Sequence, residues 1–257
     1  MKIIIIGAAV LLIFQAEAAE AYAELGTVHH HTLSNTNVGV QSRIIGGSLA
    51  NPGEFPFQVA VLGSNYPDYA ETFCGGVLLS STSVLTAAHC LYDKIYFDVV
   101  LGTTRPLDPG SWGYQSVKTT AKSVHEQFNL TDGLRHDVGL LTLSPAIAFT
   151  RAGATLSENL LYVDVEIIDN QDCVNAYGPN NMPNSKLCIS TQGGTEGPCH
   201  GDSGGPLFLT HNGELIVVGT VSFGAKQGCT SGYPDVYSRL SVYLDWIAEH
   251  GGPAVRP

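Results

Sequence analysis

Three short stretches of the 257-residue chain carry side chains that could do chemistry together. They are Thr86-Ala87-Ala88-His89-Cys90, His136-Asp137-Val138-Gly139-Leu140-Leu141 and Gly201-Asp202-Ser203-Gly204-Gly205-Pro206. Taken singly, the first two are bland: His89 reads as structural, and Asp137 merely opens an apolar strand. A histidine beside a cysteine could ligate a metal, but no C-x-x-C or H-x-x-H spacing accompanies it. The third is specific, because it packs small and turn residues around one serine hydroxyl. Together they supply a base, an acid and a nucleophile in the order His, Asp, Ser. A serine hydroxyl attacks poorly until a base takes its proton. That base needs a carboxylate to fix its tautomer and stabilise the imidazolium that forms. Glycines beside the serine let main-chain N–H groups face a developing oxyanion, worth about 3–4 kcal/mol per donor.

The elements that must position these residues read as short strands between turn clusters. Phe57 to Val61 and Gly76 to Leu79 are apolar strand runs. Between Leu160 and Ile168, apolar Leu161, Val163, Val165 and Ile167 alternate with polar neighbours, so one strand is expected there. Only Ser241 to His250 reads as a helix, with Val242, Leu244, Trp246 and Ile247 as its apolar stripe. Composition agrees with an all-β chain: 29 glycines, 44% hydrophobic and 14% charged residues exclude disorder and favour many turns. The net charge of -11 and the lack of a basic stripe exclude nucleic acid and anionic membranes as partners.

The N-terminus gives the compartment. Lys2 precedes an apolar run from Ile3 to Phe14, and Ala16-Glu17-Ala18 closes it. This pattern is a secretory signal peptide over residues 1–18, too short for a membrane anchor. The product is expected to be secreted and extracellular, where six cysteines pair. Residues 19–43 are polar and without period; His29, His30 and His31 within them are read as incidental. Asn129-Leu130-Thr131 is an N-glycosylation acceptor. No calcium-loop pattern surrounds Asp108 or Glu126, and the sequence calls for no metal and no cofactor.

The chain from Ile44 to His250 resembles the chymotrypsin/trypsin-like serine proteases. The resemblance rests on Ile44-Ile45-Gly46-Gly47, Phe73-Cys74-Gly75-Gly76, Ala87-Ala88-His89-Cys90, the Gly-Asp-Ser-Gly-Gly-Pro box and Pro234-Asp235-Val236-Tyr237. It implies two antiparallel six-stranded β-barrels, over 44–150 and 151–257, with the active site between them and a C-terminal helix. It implies His89 as general base, Asp137 as its orienting partner, Ser203 as nucleophile, and the N–H groups of Gly201 and Ser203 as oxyanion donors. Ser222-Phe223-Gly224 would pair with the substrate backbone. Residues 19–43 become an activation propeptide cut at Arg43-Ile44 by a trypsin-like protease. The freed Ile44 ammonium would then pair with Asp202, whose buried charge needs a partner. Six cysteines allow 15 connectivities, and the resemblance selects Cys74–Cys90, Cys173–Cys188 and Cys199–Cys229. Protein or peptide substrates, proteinaceous inhibitors and a monomeric state follow by the same similarity.

Specificity is partly legible. By resemblance Gly197 lies at the bottom of the substrate pocket, His200 at its rim and Asp235 on a wall where glycine is usual. Gly197 with Asp235 resembles the collagenolytic serine proteases of crabs and insects, which accept apolar and basic side chains. A digestive endopeptidase of broad specificity is the expectation. One departure is large: Ser203 follows Asp137 by only 66 positions, and the sole tryptophans are Trp112 and Trp246. The family's Gly-Trp-Gly strand is therefore absent between Phe149 and Ala154, a loss of roughly 20–30 residues on typical strand and loop lengths. The second barrel is expected to lack its first strand segment and to leave strand edges unpaired. That loss also raises an alternative: a non-catalytic protease homologue serving as a binding or regulatory protein.

Overall fold

A computed structural model describes residues 44–254 apart from positions 52, 112, 148–159, 212 and 213. The stretches expected to be a signal peptide and a propeptide with Arg43, and the Phe149–Ala154 junction, lie outside the described residues. Strands in the first half are β1 (Ser48–Leu49), β2 (Gln58–Ser64), β3 (Thr72–Ser80), β4 (Ser83–Thr86), β5 (Tyr96–Leu101), β6 (Gln115–Thr119), β7 (Lys122–Val124) and β8 (Gly139–Thr142), with helix α1 (Ala88–Leu91) after β4. The second half has β9 (Leu161–Tyr162), β10 (Ile167–Ile168), helix α2 (Asn170–Tyr177), β11 (Lys186–Ile189), β12 (Pro206–His211), β13 (Glu214–Phe223), β14 (Asp235–Arg239) and helix α3 (Leu244–Glu249).

The first half is an antiparallel sheet in the order β6-β5-β2-β3-β4-β8-β7. Seven strands, where six were expected, arise because one run is broken after Thr119. Its first part, β6, pairs with β5 and its second, β7, with β8, so the run closes the sheet into a barrel. Alternation explains the burial along β2. Val59 and Val61 join the inner cluster with Cys74, Leu78, Val84 and Leu141, while Ala60 and Leu62 meet Val100 on the other face. Each large apolar side chain so buried is worth about 1.5–3 kcal/mol.

The second half is an antiparallel sheet in the order β10-β11-β14-β13-β12, with β1 and β9 paired separately. This sheet has five strands among the described residues, where a six-stranded barrel lacking its first strand segment was expected. Among the described residues β12 pairs only with β13, and β10 only with β11. The single strand expected from Leu160 to Ile168 is instead two pairs of residues, β9 and β10. Their partners, β1 and β11, belong to different sheets, so the intervening residues have no common ladder. A cavity of about 370 Å³ lies between these pieces and β12; Leu161, Val165, Leu207 and Phe208 contribute to its walls.

Two helices, α1 and α2, escaped the pattern reading. α2 lacks an apolar stripe, and its start is marked only by Asp169, whose side chain accepts a hydrogen bond from Gln171 N. The C-terminal helix begins later than expected, after a 3-10 turn at Leu240–Val242. That turn leaves Val242 53% exposed, and Leu240 and Tyr243 take its expected place beside Ile247 in the core. The cluster they join includes Phe57, Val77 and Val217, so α3 fastens both halves together.

Candidate active site

His89 and Asp137 are brought together by the ladder between β4 and β8. Thr86, at the end of β4, pairs with Gly139, at the start of β8. The chain leaving β4 turns into α1, which carries His89, and the chain entering β8 carries Asp137. Asp137 is fully buried, while the His89 side chain stays 20% exposed. His89 Nδ1 lies 2.9 Å from Asp137 Oδ2, and His89 N donates to Oδ1 at 2.9 Å. The Ser222 hydroxyl donates to Oδ2 at 2.6 Å. The Ser238 hydroxyl donates to the Asp137 carbonyl at 2.8 Å. Burial by itself would raise this carboxyl group, but His89, Lys186 and Ser222 outweigh it and hold it below its ordinary value. An ionised carboxylate can only accept, so Nδ1 of His89 carries the proton and Nε2 is left free as a base.

Ser203 reaches the same place from the second half. Its carbonyl accepts from Gly75 N in β3 at 2.8 Å, which ties the serine loop to the first barrel. The glycines after it are needed there. Gly204 has φ +78°, and a Cβ on it would overlap Thr86 Oγ1 and sit 2.7 Å from the Gly75 carbonyl. Main-chain bonds from Asp202 N to Cys199 O, Gly204 N to Val221 O and Gly205 N to Asp202 O hold the loop at 2.8–3.0 Å. The N–H groups of Gly201 and Ser203 donate to no main-chain acceptor among the described residues. No hydrogen bond joins the Ser203 hydroxyl to His89 among them either; such catalytic bonds commonly tighten only with substrate present.

Three residues expected in the substrate pocket, Gly197, Gly224 and Asp235, converge as well. Asp235 stands at the start of β14, 6% exposed, with Oδ2 buried and unpartnered. A Cβ built on Gly197 would lie 3.0 Å from Oδ2, and one on Gly224 would overlap Oδ1. The two glycines therefore leave room for the acid. Burial raises the Asp235 carboxyl to about 7. A bulge between Val221 and Phe223 breaks the register with β14 at Ser222, whose hydroxyl reaches Asp137. His200 is exposed on the loop before Ser203, and Asn129 is exposed in a turn where its Oδ1 accepts from Thr131 N and Asp132 N.

At the N-terminal end, Ile45 N donates to Gly197 O at 2.8 Å, and Gly197 N donates back at 3.2 Å. Ile44, Gly201 and Asp202 line the cavity between the edges of the second half. Asp202 Oδ2 also accepts from Cys199 N at 2.8 Å. The three disulfides are Cys74–Cys90, Cys173–Cys188 and Cys199–Cys229.

One residue beside the triad candidates was missed. Lys186, in β11, is fully buried. Its Nζ donates to Ser222 Oγ at 2.7 Å and lies 3.4 Å from Ser238 Oγ. In the sequence it is one lysine in Asn184-Ser185-Lys186-Leu187-Cys188, with nothing local to mark it as buried.

The chain also matches known proteins. The trypsin family model matches residues 44–157 and 148–247. The two stretches overlap at 148–157, where the sequence places the lost segment. Brachyurin of Leptuca pugilator is 33% identical over 237 residues, taking in 81% of this chain and 99% of brachyurin. Collagenase of Hypoderma lineatum is 33% identical over 240 residues, with 82% and 88% covered. The 1.7 Å structure of HL collagenase superimposes with a TM-score of 0.67 at 29% identity, covering 80% of this chain and 97% of that one.

Proposed function

The chain belongs to the trypsin family of serine endopeptidases, and from that premise we propose that it is a secreted, digestive endopeptidase activated from a zymogen. His89 is the general base, Asp137 its orienting partner and Ser203 the nucleophile. The observation that carries the reading is the buried Asp137 carboxylate, hydrogen-bonded to both His89 nitrogens that face it. Ser203 attacks the scissile carbonyl as His89 Nε2 takes its proton, and the Gly201 and Ser203 N–H groups receive the oxyanion. The protonated His89 then gives its proton to the leaving amine, and water repeats the cycle on the acyl-enzyme. Ser222-Phe223-Gly224 offers the backbone along which an extended substrate aligns.

Collagenase and brachyurin among the relatives support a broad pocket, and so does Asp235 against Gly197 and Gly224. A carboxylate on the wall can meet a cationic side chain without blocking an apolar one. Arg, Phe and Leu substrates are therefore expected to give comparable kcat/KM. In Asp235→Gly the apolar substrates are expected to stay within a few-fold. The Arg substrate is expected to lose about 2–4 kcal/mol of transition-state stabilisation, as when one member of a buried charge pair is truncated. An unchanged Arg substrate would make the pocket chymotrypsin-like.

The same acid predicts a pH effect. Asp235 is neutral in the empty pocket below about 7 and charged above it. The Arg-to-Leu ratio of kcat/KM is thus expected to rise as pH passes through that value and to be flat in Asp235→Gly. A ratio that falls over that range would contradict the placement. For stability the sign is opposite: the folded state holds this proton to higher pH than the unfolded chain, so Asp235 costs stability as pH rises from its ordinary carboxylate range toward 7.

A further inference from the structure

We propose that Lys186 is a positioning residue of the catalytic site, whose ammonium, acting through the Ser222 hydroxyl, holds Asp137 ionised and oriented toward His89. The proposal rests on the triad reading above and adds a fourth charged group behind it.

The geometry is a directed chain. Lys186 Nζ donates to Ser222 Oγ at 2.7 Å, the Ser222 hydroxyl donates to Asp137 Oδ2 at 2.6 Å, and Oδ2 faces His89 Nδ1 at 2.9 Å. An ammonium has three donors and no acceptor, so Ser222 must accept from it and is left to donate onward. The hydroxyl therefore has one available direction, toward the carboxylate. Ser238 makes the second link, with its Oγ 3.4 Å from Nζ and donating to the Asp137 carbonyl.

A fully buried lysine requires a reason, since a lone ammonium in the interior is costly. Structural anchoring alone would be met by an apolar side chain of the same length. What the ammonium supplies is charge. The ionisable groups around it are Asp137 and His136 ahead of β8, His89 beyond Asp137, Arg239 of β14 and Tyr243 before α3. Arg239 Nη2 bonds the Lys186 carbonyl at 3.1 Å, and the Phe223 ring lies 5.6 Å from Nζ. Asp137 is the anion among them. Burial lowers the Lys186 ammonium to about 8 against the pull of Asp137, so the charge persists through neutral pH. Burial, then Lys186 and Arg135, lower His136.

The sign follows. A cation behind Asp137 opposes accumulation of a further positive charge on the Asp137–His89 couple. Removing it lets the protonated, inactive couple persist to higher pH. In Lys186→Met the acid limb of kcat/KM is expected to move up by about one pH unit, the scale of a nearby buried charge. Lys186→Gln keeps a donor for Ser222 without the charge, so it is expected to move the limb equally while retaining more of kcat. In a His136→Gln background the shift is expected to persist.

Each variant is titrated with a serine-directed phosphonate so that rates refer to competent sites. Variants that label fully at Ser203 yet give the wild-type pH profile overturn the proposal. A wild type that does not label overturns the triad reading instead. In wild type carrying 13C-lysine, the Lys186 ε-carbon is expected to titrate near 8 and to shift when Ser203 bears the phosphonate. A resonance insensitive to that adduct also overturns it, whatever the variants do.

Discussion

Ser203→Ala is expected to lower kcat of the activated protein by roughly 10⁶-fold, leaving only catalysis from the oxyanion donors and binding. The loss is large because the hydroxyl is the atom that forms the acyl-enzyme, and no neighbour can replace it. His89→Ala is expected to be about as severe, since nucleophile and base act as one unit. Asp137→Asn is expected to cost somewhat less, about 10⁴-fold, because the amide favours the wrong tautomer of His89 without emptying the site. Thermal unfolding separates chemistry from folding. The Ser203 residue is held through its carbonyl to Gly75 N, so Ser203→Ala is expected to keep the wild-type Tm within a few degrees. A variant retaining most of its kcat would show that the roles are assigned wrongly.

Arg43→Gln is expected to remain inert after trypsin treatment, under conditions where wild type gains full activity. Cleavage frees the Ile44 amine beside a loop that already contains Asp202. Ile45 is paired with Gly197, and Gly46 at φ +68° passes so close to the Thr195 carbonyl that a Cβ would overlap it. Ile45 and Gly46 are thus fitted against the stretch from Thr195 to Gly197. A new ammonium paired with Asp202 would hold the Gly201 and Ser203 N–H groups in place; in the uncut chain the Ile44 nitrogen is an uncharged amide. N-terminal sequencing of the treated wild type is expected to begin at Ile44. Equal activity of uncut Arg43→Gln and cut wild type would contradict this account of activation.

What could be read in the sequence was what is specified by adjacent residues. The box around Ser203 is legible because a glycine at 204 is dictated by Thr86 and Gly75 pressing on its backbone. His89 and Asp137 were legible only together with that box. The short spacing between Asp137 and Ser203 was legible; among the described residues β12 pairs only with β13, and the junction itself lies outside them. The strand expected at Leu160–Ile168 was not delivered, because alternation specifies a face but not the partner that makes a ladder. α2 lacked the stripe that makes a helix visible, and its Asp169 cap is a weak signal alone. Lys186 was beyond reach for another reason. Its burial depends on Asp137 and Ser222, which come from segments 49 and 36 positions away. No local pattern encodes such a meeting.

Among the described residues β10 and β12 each pair with a single strand, and the serine loop lines the same cavity as β12, so activity itself is the central question. The most direct measurement is titration of trypsin-activated protein with a fluorophosphonate, followed by mass spectrometry of the peptide containing Gly201-Asp202-Ser203. The account predicts one equivalent bound per molecule, all on Ser203, with none on Ser203→Ala. Folded, correctly cut protein that takes up no label would contradict it and leave a binding protein built on a protease fold.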